Sequence, residues 1–123
     1  MNRPSHKELS GKIRQAEALV REGSTYVLSP LALAADAVDL DYSMGELPEV
    51  LGDLLEEILP DQYAGTSPPQ RSYEEQIRDA ELFPFRWNCV RFLALIYFKF
   101  TIRGHAFWLV SLHPDRREGG GRP

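Results

Sequence analysis

The sequence predicts an α+β fold, with N-terminal helices packed on one face of a C-terminal antiparallel sheet of three or slightly more strands. Three observations predict it. Before residue 60 the apolar residues recur at spacings of three and four, the period of a helix face. After Tyr73 they alternate, in runs rich in aromatic and branched residues, the period of a strand. Between the two lies Asp61 to Ser72, a loop-forming stretch with Gly65, Ser67, Pro68 and Pro69. Helices and a sheet that each own one apolar face bury those faces against each other, which gives two layers. The chain has 123 residues, 43% hydrophobic and 26% charged, which predicts one domain over residues 1–116 and a flexible tail over 117–123, where Gly119-Gly120-Gly121 stands.

The helices read in order. From Ser5 to Glu22 the residues Leu9, Ile13, Ala16 and Val20 form one apolar face, and Gly23 stands where a helix stop belongs. Ser29-Pro30 is an N-cap followed by proline at the first helical position, and opens an alanine-rich helix to about Asp39. A third helix begins near Leu47-Pro48, presents Val50, Leu51, Leu54, Leu55 and Ile58, and is ended by Pro60.

Three strands follow, Leu82 to Asn88, Leu93 to Arg103 and Phe107 to His113, joined as a meander. Pro84 lacks the ladder donor and predicts an edge position for the first. In the second strand Ile96, Phe98, Phe100 and Ile102 make one apolar face, with Tyr97, Lys99, Thr101 and Arg103 opposite. A three-residue loop, Gly104-His105-Ala106, pairs Arg103 with Phe107. It aligns Ile102 with Trp108, Phe100 with Val110 and Phe98 with Leu112, all apolar, and brings Tyr97 opposite His113 on the face away from the helices. The register one residue away, with Ile102 opposite Phe107, sets Phe98 opposite Ser111 and Ile96 opposite His113 and mixes both faces, so the first register is expected.

Charge is uneven. Residues 1–70 carry five Lys/Arg and twelve Asp/Glu, and residues 71–123 carry nine and six, for a net of −4. The acidic half repels nucleic acid, whereas the basic C-terminal part is suited to phosphates. The longest apolar run, Phe92 to Phe98, is far short of the roughly 20 residues of a membrane span. The N-terminal residues show no secretory signal and Cys89 has no partner for an internal disulfide, so a cytoplasmic location without a membrane partner is expected. His6, His105, His113 and Cys89 lack metal-site spacing, and no phosphate loop, dinucleotide fingerprint or nucleophile elbow is present. Neither a metal nor a cofactor is expected.

The order of elements, together with several short motifs, resembles the MqsR toxin family of RelE-fold messenger-RNA interferases. The resemblance spans roughly Leu9 to Arg116. It rests on Gly23, on Ala32 to Tyr42, on Asp61-Gln62-Tyr63, on Ile96-Tyr97-Phe98-Lys99-Phe100 and on Val110-Ser111-Leu112-His113. It implies a RelE-like two-layer domain, ribonuclease activity on messenger RNA, an antitoxin encoded next door, and the ribosome as a further candidate partner. Tyr97 falls on a functional tyrosine of the family, and His113 where the family carries lysine. The family's lysine after Asp-aromatic-Tyr is Ala64 here, and its Trp-Gln-Asp segment has no clean counterpart in Ile77-Arg78-Asp79. A catalytically inactive partner- or RNA-binding domain of the same fold is the alternative.

RNA cleavage by 2′-OH attack on the next phosphate needs a base, an acid and cations. His113 is the sheet-face residue suited to proton exchange near neutrality, and Tyr97 opposite it is a weaker proton donor. Lys99, with Arg86 and Arg103 on the same face and Arg116 just past the strand, is suited to hold phosphate. The expected site is therefore catalytic Tyr97, His113 and Lys99, with Arg86, Arg103 and Arg116 on the RNA backbone.

Overall fold

The computed structural model describes residues 3–115 of the chain. It is an α+β fold with three helices, α1 (His6–Arg21), α2 (Pro30–Leu40) and α3 (Leu47–Glu57), and four strands, β1 (Thr25–Val27), β2 (Phe83–Cys89), β3 (Ala94–Arg103) and β4 (Ala106–Pro114). The strands form one open mixed sheet in the order β1-β4-β3-β2, with β1 parallel to β4 and the other pairs antiparallel. The expected tail, and Arg116 with it, lie outside the described residues.

The helix boundaries follow from local chemistry. Ser5 and Glu8 form a reciprocal capping box at the start of α1, with the Ser5 amide donating to Glu8 at 2.8 Å and the Glu8 amide to Ser5 Oγ at 3.1 Å. Gly23 at φ +84° lets the chain leave the helix in a left-handed conformation. Pro30 opens α2 as expected, although the Ser29 side chain makes no capping hydrogen bond. Leu9, Ile13 and Ala16 of α1 and Val50, Leu51 and Leu54 of α3 pack into one core with Phe85, Ile96, Phe98, Phe100, Phe107, Leu109 and Leu112 of the sheet. Each of these large side chains contributes about 1.5–3 kcal/mol through burial. The rings of Phe98, Phe100 and Phe107 lie 5.2 to 6.5 Å apart and tie β3 to β4.

The hairpin between β3 and β4 departs from the expected three-residue loop. Arg103 pairs with Ala106, so the turn is the two residues Gly104-His105, both at positive φ (+59° and +64°). Positive φ at both central residues is the mark of the turn whose twist matches a hairpin. It sets Ile102 opposite Phe107, Thr101 opposite Trp108 and Phe100 opposite Leu109, so the expected pairs Ile102–Trp108, Phe100–Val110 and Thr101–Leu109 do not form. A bulge then intervenes. Phe100 pairs with Leu109 and Lys99 with Ser111, leaving Val110 as the extra residue. Beyond it the expected register holds, with Lys99 opposite Ser111, Phe98 opposite Leu112 and Tyr97 opposite His113.

The bulge resolves a conflict the sequence carries. The turn favours one register, and apolar pairing at the far end favours the other. One extra residue satisfies both, so Phe107 and Leu109 before the bulge and Leu112 after it all reach the helix-side core. Trp108 and Val110, expected inside that core, face the opposite side of the sheet. There they meet a second apolar cluster formed by Ile77, Ala80 and Leu82, with Leu28 beside them. The Thr101 hydroxyl donates to the Glu81 carbonyl and fixes this segment to the sheet. The face away from the helices is thus half covered near the turn and left accessible toward Tyr97 and His113.

Strand β1 was not expected. It is tied to β4 at both of its ends by backbone bonds, the Phe107 amide to the Ser24 carbonyl at 2.8 Å and the Leu28 amide to the Leu109 carbonyl at 3.0 Å. At the opposite edge β2 takes its predicted outer position, and the Pro84 carbonyl accepts from the Ala64 amide at 2.8 Å. No helix among the described residues is long and apolar enough to cross a membrane.

Candidate functional site

The central position of β3 builds the site. On the outward face of β3, Tyr97 and Lys99 each have a neighbour on both β2 and β4, so side chains form rows across the sheet. One row is Arg86, Tyr97 and His113, and the next is Pro84, Lys99 and Ser111. Successive residues on one face of a strand stand about 6–7 Å apart, which makes the two rows neighbours.

Within this patch Tyr97 is the hub. Its ring stacks on His113 with centroids 5.4 Å apart and planes at 28°. The Arg86 guanidinium lies 5.1 Å from the ring centre and the Lys99 ammonium 5.8 Å, both in cation–π contact. Burial pushes the Tyr97 phenol above its usual range, with Arg86 opposing and Asp115 adding to the rise. Tyr97 therefore stays a protonated donor at neutral pH. Burial lowers the Lys99 ammonium below its usual value, and among the described residues Lys99 makes no hydrogen bond or ion pair. A half-buried cation in that condition is poised for an anion.

His113 is oriented by its own backbone. Its Nδ1 lies 2.8 Å from the Pro114 carbonyl oxygen, which can only accept, so Nδ1 carries a hydrogen and the neutral ring keeps its lone pair on Nε2. That arrangement leaves Nε2 as the proton-accepting atom. Arg86 is held by Asp115, Nε to Oδ2 at 2.9 Å, with the carboxylate almost fully buried, and the Asp115 amide donates to the Leu95 carbonyl at 2.9 Å. Asp115 was missed in the sequence, where it reads as one acid at the start of a charged tail.

Of the residues expected at the site, the fold brings together Tyr97, His113, Lys99 and Arg86. Arg103 lies six residues from Tyr97 along β3, roughly 20 Å away on strand geometry. Its guanidinium donates to the Arg78 carbonyl and holds the covering segment instead. The Asp61-Gln62-Tyr63 motif lies in and after a single 3-10 turn. Tyr63 is buried edge-on against Phe85, with the Arg3 guanidinium 4.9 Å from its ring, so this motif is packing away from the Tyr97 row.

A cleft opens beside His113. Strand β1 flanks β4 only as far as Leu109, and beyond it the outer edge of β4 faces the first turns of α2 across a cavity of about 250 Å³. Among the described residues no three His, Cys, Asp or Glu side chains group as a metal site. No protein-family model matches the chain, and no curated protein matches it.

Proposed function

We propose that the chain is a ribonuclease that cleaves messenger RNA by attack of a 2′-hydroxyl on the adjacent phosphate without a metal ion. It would serve as the toxin of a toxin-antitoxin pair, on a RelE-like fold of the MqsR kind. The observation that carries this reading is the Tyr97–His113 stack beside Lys99, which has no ion pair among the described residues. In the reaction His113 Nε2 takes the proton of the 2′-hydroxyl as the 2′-oxygen–phosphorus bond forms. The phosphorus–5′-oxygen bond breaks, and the leaving oxygen takes the proton of Tyr97. The products are a 2′,3′-cyclic phosphate and a free 5′-hydroxyl, and proton exchange with water restores both side chains. Lys99 stabilises the charge that builds on the phosphoryl oxygens, in a half-buried setting where electrostatics count for more than in water. The RNA, a cognate antitoxin and the ribosome are the partners of this reading, and the cytoplasm is its compartment.

A specific observation favours a second reading, a catalytically silent binding domain of the same fold. Asp115 already occupies Arg86, and the family lysine is replaced by Ala64. Induced expression separates the two. The ribonuclease reading predicts growth arrest with loss of messenger RNA, relieved by His113→Ala at equal soluble level. Normal growth with intact transcripts supports the silent domain. A small neighbouring gene for a DNA-binding protein is the inexpensive companion observation.

A further inference from the structure

The cleft between α2 and β4 carries an inference beyond the catalytic row, and it rests on the ribonuclease reading for the identity of its occupant. We propose that this cleft receives one nucleobase of a single-stranded RNA, next to the scissile phosphate, and that Asp36 selects bases bearing an exocyclic amino group.

Three observations lead there. The first is position. His113 and Ser111 line the cleft as well as the sheet face, so a nucleotide whose phosphate sits at Lys99 and His113 has its base within reach of the cavity. The second is size. A cavity of about 250 Å³ is smaller than the roughly 300–1,000 Å³ of a drug-sized site and suits one flat ring system rather than a stacked helix. Sequence-selective RNA recognition works in this way, on unpaired bases splayed out of a single strand. The third is chemistry. Leu33 and Leu109 are among the apolar residues that line the cavity, and Ser29 and Asp36 among the polar ones. An ionised carboxylate only accepts hydrogen bonds. Guanine, adenine and cytosine each present an amino donor to it. Uracil presents a single N–H between two carbonyl oxygens, which the carboxylate repels. The free edge of β4 adds backbone groups that no neighbouring strand uses among the described residues.

The test uses the full chain and non-cleavable oligonucleotides, with a 2′-deoxy residue at the cleavage position and one flanking base varied among the four. Binding is read by fluorescence anisotropy. The wild type is expected to bind the three amino-bearing variants about tenfold tighter than the uracil variant, the scale of one good base contact. Asp36→Asn should bring the four within about twofold of each other, because an amide also donates and so accepts uracil. Ala32→Leu, on an exposed position of α2 that lines the cleft, should weaken all four. Equal binding of the four by the wild type, or discrimination that survives Asp36→Asn, overturns the proposal, as does tight binding by Ala32→Leu. An extended peptide that binds the β4 edge while no oligonucleotide does also overturns it. Base-selective binding lost in Asp36→Asn, in a protein that cuts none of the matching all-ribose strands, would leave the pocket standing and remove the ribonuclease reading.

Discussion

Two polar clusters flank the sheet, and they are built on opposite principles. At the turn between β2 and β3 the Glu57 carboxylate, from the end of α3, accepts from the Trp87 indole at 2.9 Å, the Val90 amide at 2.9 Å, the Arg91 amide at 2.8 Å and the Cys89 thiol at 3.6 Å. Arg91 in turn reaches Glu49 and Asp53 on α3. Donors and acceptors there are used up, and the cluster rivets a helix to a turn. On the accessible face, by contrast, Tyr97 is surrounded by cations, Lys99 holds no ion pair among the described residues, and His113 keeps Nε2 for a ligand. Burial moves both groups away from easy charging, with the phenol raised and the ammonium lowered. Polar groups that complete one another hold a fold together, whereas groups left incomplete on a rigid scaffold are available for chemistry.

Breaking the saturated cluster gives the largest expected effect. Glu57→Ala strips the carboxylate from several donors at once and is expected to lower stability by about 3 kcal/mol, read from urea unfolding midpoints. Burial alone would raise the Glu57 carboxyl, but the hydrogen bonds from Trp87, Val90, Arg91 and Cys89 outweigh it and hold the group below its usual value. Its contribution is therefore complete above the ordinary carboxylate range and is lost as pH falls through the lowered folded value. Glu57→Gln should flatten the acid limb of the stability profile, and an acid limb identical to the parent's would remove Glu57 from this role.

On the accessible cluster the effect falls on function. Lys99→Gln is expected to weaken RNA binding about tenfold and to reduce the slope of log affinity against log salt by about one. Stability should move little, or rise slightly, because a partly buried charge is removed. A salt slope equal to the parent's would place phosphate elsewhere. The smallest effect concerns the turn that sets the register. His105 sits at φ +64°, where a side chain costs roughly 1 kcal/mol, so His105→Gly should stabilise the protein by up to about that amount, visible as a higher thermal midpoint.

Much of this was legible in the sequence, for identifiable reasons. The first and third helices announce themselves through their period, and Gly23, Ser29-Pro30 and Pro60 mark helix ends and starts. The Tyr97–His113 pairing follows from matching Phe98 with Leu112. What sequence could not reveal depends on partners far along the chain. Strand β1 is three residues long, too short for any period, and exists because Phe107 and Leu109 bind it. The bulge at Val110 arises where turn geometry and apolar pairing disagree: apolar pairing alone puts Trp108 on the wrong face, and the turn register alone would put Leu112 there, opposite Tyr97. Asp115 and Glu57 are single acids whose roles appear only once β2 lies beside them.

The central claim is that the Tyr97, Lys99 and His113 face performs transphosphorylation, and the chemistry of the product ends tests it most directly. Purified protein incubated with a single-stranded RNA in the presence of EDTA is expected to leave 2′,3′-cyclic phosphate and 5′-hydroxyl ends. His113→Ala, folded to the same thermal midpoint within a few degrees, should be about 10²–10⁴-fold slower. Intact RNA with the wild-type protein, or cleavage that His113→Ala performs at the parent rate, would contradict the account.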